Sequence, residues 1–239
     1  ETVRELEPYF LPPTDPRSAF SFATPPPHSG FSLVPLAMAQ EPVDDPPVVD
    51  LYTTDTGVEI AVIGEAPEAA TVHKARALLE QHKIYEKFER LLGRKTLQTD
   101  DDPLWICIMK DLRRFEDPKN PGSRMLGFCS VRPRIPGGPI PPDKAACWIA
   151  ISADGNGADP MLAATLAHEI FHAFQFAFSR REEKWLVEGS AVWSEDFAGR
   201  DWNVEQRRLD GWTFDSSANI HNPLTRESRS AYGMFLFFE

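Results

Sequence analysis

Hydrophobic and polar positions change period several times along this chain, and each change predicts an element. Between Val48 and Ile63 two β-rich runs, V-V-D-L-Y and V-E-I-A-V-I, flank T-T-D-T-G, which predicts a hairpin or a pair of adjacent strands. From Thr71 to Leu92 the apolar residues Val72, Ala75, Leu78, Leu79, Tyr85, Phe88, Leu91 and Leu92 recur at helical spacing. Gly93 follows as a good stop for that helix. Leu104–Lys110 (L-W-I-C-I-M-K) and Ala145–Ser152 (A-A-C-W-I-A-I-S) are continuous apolar runs of strand length, the pattern of strands buried on both faces. Residues 111–127 are polar and read as a loop, and 131–142 as an irregular Pro/Gly excursion. Asp159 and Pro160, natural N-cap and N1 residues, then open a helix that is apolar nearly all round: Met161, Leu162, Leu166, Ile170, Phe171, Phe174, Phe176 and Phe178. A turn around 179–184 leads to a second helix, and Ser228–Glu239 is a last apolar helical segment.

The first 47 residues break this pattern. They hold half of the 22 prolines, which block helices and sheet ladders, so 1–47 reads as a tail, linker or pro-segment. Phe10, Phe20, Phe22 and Phe31 would let it lie across a domain surface. The rest, 48–239, reads as one domain: 48–178 as an upper lobe and 179–239 as a helical lower lobe, expected to be incomplete at Glu239. No signal peptide is visible at Glu1.

Composition narrows the partners. A formal net charge of −11 without a basic cluster argues against nucleic acid. No apolar run is long enough to span a membrane. Of three cysteines, Cys107 reads as core, while Cys129 and Cys147 flank the Pro/Gly excursion and are expected to pair in an oxidising, secreted setting. Asp100–Asp102 reads as a solvated turn, because adjacent carboxylates point different ways. Asp154, Asn156 and Asp159 do not match the EF-hand spacing.

The buried helix carries the chemistry. His168-Glu169-Ile170-Phe171-His172 is an H-E-x-x-H motif, and residues four apart share a helix face, so two imidazoles can meet one cation. Glu169 would then be the general base toward a water held by that cation. A buried helix bearing His, Glu and His must satisfy all three, and metal ligation does so. A catalytic zinc takes three protein ligands, and Glu188 in W-L-V-E-G-S-A-V-W-S-E-D is the third candidate. Fifteen residues separate it from His172, enough for a turn and a returning helix. Gly189 and Ala191 suit close approach of that helix. Glu195, two turns after Glu188, could accept a hydrogen bond from the outer N–H of a ligand histidine.

A-H-E-I-F-H-A-F-Q followed by W-L-V-E-G-S-A-V-W-S-E-D resembles the gluzincin branch of the zincin metallopeptidases, and more narrowly the peptidase MA-like group. The later Ser230–Phe238 segment is similar to the Y-G-x-x-x-F helix of such proteins, so the resemblance covers roughly 160–239. It implies an α+β, zincin-like fold: a mixed sheet with a covering helix, a central zinc helix and a mostly helical C-terminal part. It also implies Zn2+ on His168, His172 and Glu188, Glu169 as base, and a peptide or protein substrate. Where thermolysin-like gluzincins carry an acidic residue four positions after the ligand Glu, this chain has Val192, which passes the supporting role to Glu195 or Asp196. In zincins the strand before the active helix, or its neighbour, forms the cleft's upper edge, so the backbone of 147–152 is expected to pair with substrate. Tyr232 and His221 are candidates for oxyanion stabilisation. Three other readings stay open: an inactive zincin-fold module for adhesion or scaffolding, a zinc hydrolase of a non-peptide amide or ester, and a truncated chain without activity of its own.

Overall fold

Val48–Thr53 (β1) and Glu59–Gly64 (β2) pair antiparallel, Val49 opposite Ile63, and Gly57 takes φ 79° in the turn between them. The computed structural model describes residues 47–98, 103–115, 125–132, 140, 143–202 and 204. Within these the chain is α+β, with a five-stranded mixed sheet and four α-helices. The other strands are Leu104–Met109 (β3), Gly127–Val131 (β4) and Cys147–Ser152 (β5), and the sheet order is β1-β2-β3-β5-β4. β2, β3 and β5 run parallel, and each outer strand is antiparallel to its neighbour. Residues 1–46 of the proposed tail lie outside the described residues, as do Asp100–Asp102 and the Ser228–Glu239 segment.

β3 and β5 are buried along their whole length, which is why their sequences are continuous apolar runs and do not alternate. Alternate residues feed two cores. Ile60, Val62, Leu104, Ile106, Ile108, Ile149 and Ile151 face the helices. Trp105, Cys107, Trp148 and Ala150 face the other way, with Leu112 against them and Phe115 and Phe128 packed alongside.

The helical run expected as one element is two: Ala69–His82 (α1) and Ile84–Leu92 (α2), broken at Lys83, whose φ is 50°. Lys83 Nζ lies 3.0 Å from Asp55 and 3.6 Å from Glu86, and the Tyr52 hydroxyl donates to Glu86 as well. The links to Asp55 and, through Glu86, to Tyr52 tie this left-handed residue to the hairpin, which periodicity does not reveal. The predicted stop at Gly93 is present, with φ 67°.

Asp159–Phe178 (α3) packs against β4, β5, α1, α2 and Lys184–Ala198 (α4). Its N-cap is Ala158, one residue earlier than the expected Asp159, which instead sits 2.8 Å from Lys74. Its C-terminal end is tied to the approach to β5: Ala145 N donates to Phe176 O at 2.9 Å, and Arg180 N to Asp143 O at 2.7 Å. α4 is braced by α2. Lys87 Nζ donates to the carbonyl of Ala198 at 2.6 Å, and Phe88 meets Phe171, Phe174 and Phe197.

Two expectations are corrected by the sheet. The strand 147–152 has neighbours on both sides, so its backbone is not a free edge; among the described residues the edge beside α3 is β4, which lies between the predicted loop and the predicted excursion and to which the sequence assigns no strand. Cys129 and Cys147 are free thiols. They sit diagonally across the β4–β5 ladder, Cys129 opposite Ile149 and Cys147 opposite Val131.

Candidate metal centre

α3 brings His168, Glu169 and His172 together in the interior, and its own hydrophobic surface holds it there: Leu162, Leu166, Ile170 and Phe174 are fully buried. The two rings meet edge to face with centroids 4.7 Å apart. α4 then presents Glu188. Its Oε2 stands 3.6 Å from His168 Nε2 and 3.8 Å from His172 Nε2. One ligand atom from each of the three residues lies within 4.8 Å of the others, which is close enough for all three to hold one metal ion.

The donor set fits a zinc-sized ion. Ligand atoms about 2.1 Å from one tetrahedral centre stand roughly 3.4 Å apart, slightly less than the two His–Glu separations. Two imidazoles and a carboxylate also match the ligand types of a catalytic zinc.

The outer nitrogens are fixed from the side away from Glu188. His168 Nδ1 donates to Glu195 Oε1 at 2.7 Å, and Glu195 is almost wholly buried. His172 Nδ1 is 2.6 Å from Gln175 Oε1, while Gln175 Nε2 donates to Val187 O at 2.9 Å and to Ser190 Oγ at 2.8 Å. Burial disfavours a charge on His168, yet the carboxylates of Glu188 and Glu195 outweigh it and push its pKa up to about 9. Glu169, Glu188 and Glu195 thus make a buried site that favours positive charge.

Glu169 lies beneath the edge strand. A Cβ built on Gly127 would fall 2.9 Å from Glu169 Cγ and 3.0 Å from its Oε1, so β4 approaches the carboxylate with nothing but backbone between them. Asn156 sets that approach. Its Nδ2 donates to Leu126 O at 3.0 Å and to Ser152 O at 2.7 Å, and its Oδ1 accepts from the Thr165 hydroxyl at 2.7 Å. One buried amide therefore ties the start of β4, the end of β5 and the helix turn just before His168.

Of the residues singled out in sequence, His168, His172, Glu188 and Glu195 converge in space. Val192 is fully buried, and Asp196, next to Glu195, is turned about 100° round the helix from it. Tyr232 and His221 lie outside the described residues. His73 is exposed and bonds Asp50, and His82 packs edge-on against Trp202, so neither approaches the cluster. Gln175 enters the sequence reading only as the last residue of the A-H-E-I-F-H-A-F-Q motif, Asn156 only against the EF-hand spacing, and Gly127 only as the end of a loop. The position of Gln175, one turn after His172 on the same face, is a signal for its role, but Gly127 and Asn156 act through pairings that sequence spacing does not expose. Among the described residues no helix is long and apolar enough to cross a membrane. Comparison with known proteins finds no protein-family model and no curated protein that matches this chain.

Proposed function

We propose that this chain is a zinc-dependent peptidase of zincin type, in the gluzincin branch. The observation that carries the reading is the convergence of His168, His172 and Glu188 around one point, with Glu169 buried beside them on the same helix. Zinc, when bound, supplies Lewis acidity that polarises a scissile carbonyl and makes a water acidic enough to lose a proton near pH 7.

The chain's own residues do the rest. His168 and His172 offer Nε2 toward Glu188, since their Nδ1 atoms are bonded to Glu195 and Gln175. Glu169 takes the proton of the attacking water on its carboxylate and passes it to the departing amine. β4 supports a peptide substrate in particular. β4 is the outer strand among the described residues, and its backbone lies against Glu169 at Gly127, so an extended peptide paired with Gly127–Val131 would run close to that carboxylate.

The deciding experiment is cleavage of a diverse peptide mixture read by mass spectrometry, with wild type beside Glu169→Gln, each with and without a chelator. Cleavage lost in both perturbations, with zinc retained by Glu169→Gln, is the expected result. A folded, zinc-loaded wild type that cuts no peptide would overturn the peptidase reading and favour a binding module or a hydrolase of another amide or ester.

A further inference from the structure

We propose that Gln175 is a positioning residue that sets two of the three metal ligands at once: His172 through its ring tautomer, and Glu188 through the backbone of its helix. The proposal rests on the metal-site reading above.

The argument starts from α4. Val187 O has no proton to give, so the Gln175 atom 2.9 Å from it must be the NH2 group. The Ser190 hydroxyl donates its one proton to Leu186 O at 2.5 Å, so its oxygen accepts the second Gln175 N–H at 2.8 Å. Both amide protons are then committed to α4. The other end of the amide must be the carbonyl, and it faces His172 Nδ1 at 2.6 Å. A carbonyl accepts only, so His172 carries its proton on Nδ1 and leaves Nε2 with a lone pair directed at Glu188. The backbone of one helix thereby decides which nitrogen of a histidine on the other is free to bind a cation.

The same amide holds the ligand that α4 carries. Val187 immediately precedes Glu188, and Ser190 follows it by two residues, so Gln175 grips α4 on either side of the carboxylate. His168 is served differently, by the carboxyl group of Glu195. A carboxylate at 175 could not do both tasks. It would accept from His172 but would set an anionic oxygen against the Val187 carbonyl.

Two variants separate the tasks. Gln175→Met removes both. Gln175→Glu keeps the acceptor for His172 and loses the donors to α4. Two quantities are measured on cooperatively melting protein: the His172 tautomer in metal-free samples, from 15N chemical shifts, and zinc affinity, by chelator competition. Wild type should show His172 protonated on Nδ1. Gln175→Met should lose that preference and bind zinc about 10- to 100-fold more weakly, the usual cost of removing a partner of a metal ligand. Gln175→Glu should keep the tautomer and still lose affinity, because Glu188 is no longer anchored. Gln175→Met with wild-type tautomer and affinity would overturn the proposal alone. Gln175→Glu with wild-type affinity would overturn its α4 half. Wild type that binds no zinc would overturn both this proposal and the metal site beneath it.

Discussion

Gly127 lies directly against Glu169: the position where any other residue would carry its Cβ is 2.9 Å from the Glu169 Cγ and equally close to Thr165 Cγ2. The edge strand and the proposed base are therefore in backbone-to-side-chain contact, and the smallest possible addition must move one of them. Gly127→Ala should lower peptide turnover at least tenfold while costing about 1–3 kcal/mol of stability, the range for forcing a methyl into packed space. Turnover and urea unfolding measured on the same preparation check this. Unchanged turnover would mean that Glu169 can shift without consequence.

Glu188 and Glu195 should separate by how they act on zinc. Glu188→Ala deletes a ligand and should all but abolish tight binding. Glu195→Gln keeps a hydrogen-bond acceptor for His168 Nδ1 and should weaken binding only about 10- to 100-fold. Chelator competition on both variants gives the order. Equal losses would place Glu195 among the ligands or remove Glu188 from them.

Asn156→Ala should destabilise the chain by roughly 2–4 kcal/mol, since three hydrogen bonds are lost and the carbonyls of Leu126 and Ser152 are left to find other partners. The loss should be local in its dynamic signature. Amide hydrogen exchange should speed up in β4 more than in β2 or β3, whose pairing does not pass through Asn156. Uniform acceleration across the sheet would count against Asn156 as the tie that holds the edge.

The pH dependence at the alkaline end has a definite sign. Burial pushes the Cys107 thiol from 9.0 up to about 12. The folded state keeps this proton where the unfolded chain gives it up. The contribution is fully present below about pH 9 and is lost as pH rises toward 12, at about 1.4 kcal/mol per pH unit for one group. Cys107→Ala should flatten that part of the stability profile relative to wild type, measured by denaturant unfolding from pH 8 to 10.5. Parallel profiles would mean that the thiol is ionised inside the sheet.

Pattern exposes the elements whose composition carries their environment. The two apolar strands show because every residue in them is buried, α3 because most of its length is, and the hairpin at 48–64 because two β-rich runs flank a glycine turn. Lys83 does not show, because lysine has no preference for the left-handed region and its side chain is tied to Asp55 in the distant hairpin turn as well as to Glu86 one turn on. β4 does not show either. Gly127 is chosen for the carboxylate beneath it, against strand propensity, and the five-residue strand is half-buried throughout. The site follows the same division. His168, Glu169 and His172 are legible from spacing within one helix, and Glu188 from the room for a return. Whether Glu195 or Asp196 reaches His168 depends on the rotation of α4, which only packing sets.

The bend at Lys83 has a mechanical meaning. A straight helix from Ala69 to Leu92 would run about 36 Å and leave Phe88 far from the partners it meets. Bent, it becomes a strut with one arm along the hairpin and the other against α3 and the C-terminal end of α4. Phe88 touches Phe171 and Phe174 on one and Phe197 on the other, and Lys87 grips the last carbonyl of α4. An arm that contributes no ligand thus ties the helix of His172 to the far end of the helix of Glu188, and its stiffness bears on how the two helices sit together.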